Sequence, residues 1–139
     1  DSMWNSTKHI AEFIKQGIYN KDKDVTIKIL KASKWDKNDI ITEVFKSKAI
    51  FVGSPTINKG ILSSIAGLLE EIRGLGFKDK KALSFGSYGW SGESKKMINN
   101  KLKEGGFELI DNGILKKWVP SESDRKDLIK YGKDISSKL

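Results

Sequence analysis

The chain has 139 residues, enough for one domain with a sizeable core, and its 37% hydrophobic and 32% charged residues fit a globular fold. It holds no cysteine and a single histidine, His9, which excludes disulfides, thiolate catalysis, cysteine-ligated iron and any multi-histidine metal centre built from this chain alone. No apolar run approaches the ~20 residues that span a bilayer, and the net charge of +8 is spread along the chain rather than gathered in one tract.

The chain opens with a polar, hydroxyl-rich stretch, Ser2–Thr7, that runs into a helical pattern over Ser6–Tyr19, with Ile10, Phe13, Ile14 and Ile18 at helical spacing. Val25–Leu30 (VTIKIL) then reads as a strand. A weaker helix is expected over Lys37–Lys46, carrying Ile40, Ile41, Val44 and Phe45. Ala49–Val52 reads as the next strand, and Gly60–Arg73 as a strongly apolar helix stopped by Gly74. Lys81–Phe85 is a third strand, and Glu93–Glu104 a helix ending in Gly105 and Gly106. Phe107–Ile110, a turn at Asp111–Gly113 and Ile114–Val119 read together as one strand broken by an insertion or bulge. The last helix follows Pro120, with Ser121 and Asp124 as its capping pair.

Helices and strands alternate throughout, which argues for a parallel sheet with helices on both faces. The alternation starts on a helix, where a doubly wound domain would start on a strand. In such sheets ligands bind beyond the carboxyl ends of the strands, so the loops after strands are the place to look.

Three of those loops are unusual. Ser2–Thr7 offers three hydroxyls and leads into a helix N-terminus, an arrangement suited to a phosphate. It holds no Lys or Arg, so a phosphate there would rely on N–H and hydroxyl donors; an ordinary Ser/Thr cap would explain the same residues. Ser54–Asn58 contains Pro55, which stiffens the backbone, and Thr56 and Asn58, which can bond the edge of a heterocycle. Ser87–Gly92 places Tyr88 and Trp90 on either side of Gly89, where a flat ligand could approach ring and backbone together. Together the three suit a mononucleotide with a flat base.

The stretches DSMWNST, FVGSPTINKGIL and ALSFGSYGWSGES occur in that order, and with the tail FELIDNGILKKWVPSESDRKDLIKYGKDI the chain resembles the flavodoxin-like domain of the A-type flavoproteins, or flavodiiron proteins, over essentially its whole length. The resemblance implies a single three-layer α/β/α domain over residues 1–139, a flavodoxin-like doubly wound parallel sheet of strand order 2-1-3-4-5. Its first, central strand is absent from the sequence, so the chain is expected to be a fragment of a longer one and to hold its cofactor less tightly than an intact domain.

The implied cofactor is FMN. Ser2, Met3, Trp4, Asn5, Ser6 and Thr7 would wrap its phosphate. Ser54, Pro55, Thr56, Ile57 and Asn58 would line one side of the isoalloxazine, and Ser87, Tyr88, Gly89, Trp90, Ser91 and Gly92 the other, with Trp90 ahead of Tyr88 as stacking partner. Asn5 stands where flavodoxins proper usually carry Gly. No residue is assigned as catalytic or as a metal ligand, because the family's diiron domain is not in this chain.

The implied function is electron transfer through flavin to or from a redox partner. The expected partners are an acidic, rubredoxin-like carrier steered by the positive charge, a diiron domain in the parent protein, or a second copy of the chain as a homodimer. Lys59, beside the second loop, is expected to raise the flavin potential, and His9 to be an ordinary helical histidine. Neither a membrane nor a nucleic acid is expected as partner, since no Arg-rich stripe or RNA-binding signature is present. The absence of cysteine fits a cytoplasmic protein. The competing reading is a cofactor-free flavodoxin-like module that binds protein.

Overall fold

A computed structural model describes all residues, 1–139. Five helices surround one parallel sheet: α1 (Ser6–Lys21), α2 (Lys37–Lys46), β1 (Ala49–Gly53), α3 (Ser63–Leu75), β2 (Lys81–Tyr88), α4 (Glu93–Glu104), β3 (Glu108–Leu109), β4 (Ile114–Lys117) and α5 (Glu122–Ser136). β2 lies at the centre, with β1 on one side and β3 and β4 in line on the other. Its register with β1 runs from Ala49↔Lys81 to Gly53↔Phe85.

The broken strand is as expected. β3 pairs Ala82↔Leu109 and β4 resumes at Phe85↔Ile114, so the four residues Ile110–Gly113 stand opposite only Leu83 and Ser84. The extra length bulges out and is tied down locally. Asp111 Oδ1 accepts from Gly113 N–H at 2.9 Å and from the Tyr131 hydroxyl at 2.7 Å. Gly113 takes φ 84°, and a Cβ there would collide with the Ser84 carbonyl and hydroxyl.

Successive strand residues face opposite sides, and the two cores follow from that. Val52 and Ala82 point to one face, where Ile40 and Val44 of α2, Ile65, Leu68, Leu69 and Ile72 of α3, and Ile98 and Leu102 of α4 close over them. Phe85 and the half-buried Phe51 point to the other, under Ile10, Ile14 and Ile18 of α1 and Leu128 of α5. Each fully buried Ile or Leu contributes about 1.5–3 kcal/mol relative to exposure, so these stripes hold the helices against the sheet. α1 and α5 approach unusually closely, at Gly17 and Gly132. A Cβ on Gly17 would collide with the Ile129 carbonyl oxygen and lie 2.8 Å from the Gly132 Cα.

Two expectations are corrected. Val25–Leu30 forms no strand. Val25, Ile27 and Leu30 are half-buried against the cores, which explains the β-like pattern. β1 pairs only with β2, so this stretch has no ladder partner and gains no cross-strand hydrogen bonds. The second concerns α3, which begins at Ser63 rather than Gly60 and runs through Gly74. Its stop is Gly76, in the left-handed conformation at φ 61°, while Gly60 closes a tight turn with Ile57. No helix is long and apolar enough to cross a membrane.

Candidate functional site

The three loops meet beyond the carboxyl ends of β1 and β2. Thr7, in the first turn of α1, and Ser87, near the end of β2, are both buried, and their hydroxyl oxygens share a hydrogen bond at 3.0 Å. The Thr56 N–H donates to the Ser87 carbonyl at 2.8 Å. Ser87 therefore joins the loop before α1 to the loop after β1. The Thr56 hydroxyl donates to Ser94 Oγ at 2.9 Å and accepts from Ser94 N–H at 3.3 Å, so it caps α4 from across the cleft. That engagement uses the hydroxyl's proton and one of its two lone pairs, leaving the other free to accept. Within the second loop, Ser54 Oγ accepts from Leu62 N–H at 3.0 Å and donates to the Pro55 carbonyl at 2.9 Å, which fixes the approach to α3.

The first loop has the form of an anion cradle. Asn5 takes φ 64°, turning the chain sharply into α1 without a side-chain cap on the helix. Its carbonyl accepts from His9 N–H at 2.9 Å, which leaves the first-turn N–H groups of Ser6, Thr7 and Lys8 aimed outward. The first turn holds no acidic residue. Ser2 Oγ is buried without a hydrogen-bond partner in the protein. An orphaned buried hydroxyl costs roughly 1–3 kcal/mol, a cost that a ligand accepting or donating there removes.

Asp1 was not among the expected site residues, yet it organises this loop. Its side chain is only 3% exposed. Its carboxylate accepts from Ser2 N–H at 2.7 Å, Ser33 N–H at 3.0 Å and Ser64 Oγ at 2.7 Å. The start of the loop is thereby tied to the segment after Val25–Leu30 and to the first turn of α3. Nothing in its local pattern signals this, because two of the three donors come from distant residues.

The outer side of the first and third loops is apolar and open. Trp4 and Trp90 are 81% and 93% exposed, and Met3 is also exposed. Tyr88 and Gly89 are half-buried, and Gly92, the N-cap of α4, has no side chain with which to cap it, a task left to Thr56. Ile57 and Gly60 exchange two backbone hydrogen bonds, at 3.1 and 2.6 Å, around Asn58 at φ 47° and Lys59 at φ 60°. Two positive φ values at the centre of a two-residue turn make a tight, rigid tip. Both tip residues are exposed.

A second residue outside the expected set belongs here. Trp118, just past β4, stands against Trp90 at 5.2 Å between ring centroids, edge to face at 79°. His9 lies half-buried on α1, its ring 6.4 Å from that of Phe13. No group of three or more His, Asp or Glu side chains converges as a metal site would require.

Comparison with known proteins agrees with this geometry. The Flavodoxin family matches residues 1–132. The anaerobic nitric oxide reductase flavorubredoxin of Vibrio vulnificus is 44% identical over 136 residues, covering 98% of this chain and 27% of the relative. That of Aliivibrio salmonicida is 49% identical over 120 residues, 86% of this chain and 24% of the relative. The chain thus spans about a quarter of the length of these curated relatives. Among solved structures, the rubredoxin oxygen:oxidoreductase of Desulfovibrio gigas superposes with TM-score 0.89 at 35% identity, covering 99% of this chain and 34% of that one. An archaeal flavodoxin superposes with TM-score 0.85 at 28% identity, covering 99% of this chain and 93% of its own. The chain belongs to the flavodoxin family, a family of FMN-binding electron-transfer domains.

Proposed function

We propose that this domain holds FMN across the three loops and passes electrons between the flavin and a redox partner. The observation that carries this reading is the junction at Ser87, which draws the loops to one sheet edge beside the orphaned Ser2 hydroxyl. When bound, FMN supplies one- and two-electron transfer at its ring.

The residues fit that group. Ser2, Ser6 and Thr7 provide hydroxyls, and the α1 first turn provides outward N–H groups with the positive end of a 16-residue helix behind them. Met3, Trp4 and Asn5 complete the wrap around the phosphate. Ser54, Pro55, Thr56, Ile57 and Asn58 form one wall of the ring site, with Thr56 and Asn58 offered to the heterocycle edge. Ser87, Tyr88, Gly89, Trp90, Ser91 and Gly92 form the other. Trp90, nearly fully exposed, presents a free indole face for stacking. Such an edge stays open to solvent, which lets a partner approach the ring.

The relatives named as flavorubredoxins, as a rubredoxin oxygen:oxidoreductase and as flavodiiron proteins support a rubredoxin-like carrier or a diiron domain as partner, and the carrier is taken to be acidic. A net charge of +8 steers an acidic carrier. Reduction by such a carrier should slow as ionic strength rises, and a rate independent of salt would remove the electrostatic part of the proposal. The cofactor itself is tested by adding FMN to the chain and following flavin fluorescence: binding quenches it, saturating at one FMN per chain.

A further inference from the structure

The contact between Trp90 and Trp118 carries more than the loop assignment. Lys117 is the last residue of β4 and pairs with Tyr88 of β2. The next residue, Trp118, turns to φ 57° while its N–H still donates to the Tyr88 carbonyl at 2.8 Å. A bulky residue in the left-handed region costs roughly 1–2 kcal/mol, and such strain persists only where the surroundings impose it. Here the turn swings the indole back over the third loop. A Cβ on Gly89 would lie 2.9 Å from Trp118 Cη2 and Cζ3, so the ring lies close over the Gly89 backbone. From that seat it meets Trp90 edge to face. Trp90 is 93% exposed, so little else restrains its side chain.

We propose that Trp118 is a positioning residue for Trp90: seated over Gly89 and edge-on to Trp90, it narrows the rotamers of Trp90 and presents its free face to the flavin ring before the ring arrives. The proposal rests on the reading of Trp90 as the stacking partner of FMN. An aromatic side chain held in its bound orientation loses less entropy on binding, and the gain appears as affinity. Trp118 lies beyond the three loops that sequence pattern assigns to the cofactor, and it acts through Trp90 rather than through contact with the ring.

The test is a double-mutant cycle on FMN dissociation constants, using Trp90→Ala, Trp118→Gly and the double variant. Glycine tolerates the positive φ, so Trp118→Gly deletes the indole and leaves the turn intact. It should weaken FMN by about two- to tenfold, the range of a T-shaped aromatic contact. Trp118→Phe should stay within about twofold of wild type, because an edge-on ring is kept. In the Trp90→Ala background the effect of Trp118→Gly should vanish. A second readout needs no cofactor. With 5-fluorotryptophan incorporated, the fluorine resonance of Trp90, assigned by its loss in Trp90→Ala, should move toward the free-indole position in Trp118→Gly. If the cost of Trp118→Gly persists without Trp90, or if it leaves both affinity and the Trp90 resonance unchanged, this proposal alone is overturned. If Trp90→Ala leaves FMN affinity unchanged, the stacking assignment falls and this proposal falls with it.

Discussion

Thr7 Oγ1 and Ser87 Oγ, 80 positions apart in the chain, lie 3.0 Å from each other in the buried angle between α1 and β2. Each hydroxyl is the other's side-chain partner, so removing one strands the other. Thr7→Val should lower stability by about 1–3 kcal/mol, and Ser87→Ala by a similar amount. The double variant Thr7→Val/Ser87→Ala should cost less than the sum of the two, because no orphan is left. Urea denaturation of the four proteins measures this. Both single variants should also weaken FMN if it binds as proposed, since the bond sets the distance between the start of α1 and the loop after β2. Additive costs would show that the two hydroxyls do not depend on each other.

Glycines in this fold divide by what surrounds them. Gly17 and Gly132 let α1 and α5 touch backbone to backbone, and a Cβ on either meets a carbonyl oxygen of the opposite helix. Gly17→Ala and Gly132→Ala should each destabilise by about 1–3 kcal/mol or more, since the helices must separate. Gly67, within α3, has open space where a Cβ would go. Gly67→Ala should stabilise by up to about 1 kcal/mol through helix propensity. Thermal and urea midpoints moving in opposite directions for the two classes would bear this out. A destabilised Gly67→Ala would contradict the packing described for α3.

Lys59 combines a strained backbone with a charge beside the proposed ring site. At φ 60° in the tip of the Ile57–Gly60 turn, it stands where glycine is favoured. Lys59→Gly should raise the stability of the cofactor-free protein by about 1 kcal/mol. Lys59→Glu keeps the strain and reverses the charge. It should lower the flavin midpoint potential, because positive charge near the ring favours the anionic reduced form. An unchanged potential in Lys59→Glu would reduce Lys59 to a turn residue.

Acid sensitivity should arise partly at the start of α5. Asp124 accepts from Lys116 at 2.8 Å and from the Ser121 N–H and hydroxyl, each at 2.9 Å. Lys116 first, then Ser121, hold its carboxyl down at about 2. The unfolded chain returns it to about 4. A depressed acid stabilises the fold fully above its unfolded value, and that stabilisation is lost as pH falls through the folded value. The stability gap between wild type and Asp124→Asn, about 1 kcal/mol near neutrality, should therefore shrink between about pH 4 and pH 2. Denaturation curves across that range test it, and a gap independent of pH would refute the ionic part of the cap. The exposed Glu70, lowered by Arg73 and then Lys101, titrates in the same direction in both proteins and cancels from the comparison.

Local chemistry made much of this molecule readable from its sequence. The capping pair Ser121 and Asp124, the amphipathic α2 and α4, the interrupted strand at Asp111–Gly113 and the polar entry to α1 depend on neighbours a few residues away. What was not readable depends on distant partners. Val25–Leu30 has the composition of a strand, but a strand needs a paired neighbour, and no strand of the sheet pairs with it. Asp1 gains its role from Ser33 and Ser64, and Trp118 gains its role from a positive φ and from Gly89 and Trp90. The Gly17–Gly132 crossing is likewise a property of two helices at opposite ends of the chain.

The measurement that bears most directly on the whole account is a fluorescence titration of FMN with the wild-type chain beside Ser2→Val. The account predicts quenching that saturates at one FMN per chain, with Ser2→Val binding roughly tenfold more weakly because the buried, unpartnered Ser2 hydroxyl is proposed to bond the phosphate. Unquenched flavin at a large excess of wild-type protein would contradict the account, as would equal affinity in the Ser2→Val variant for the phosphate assignment.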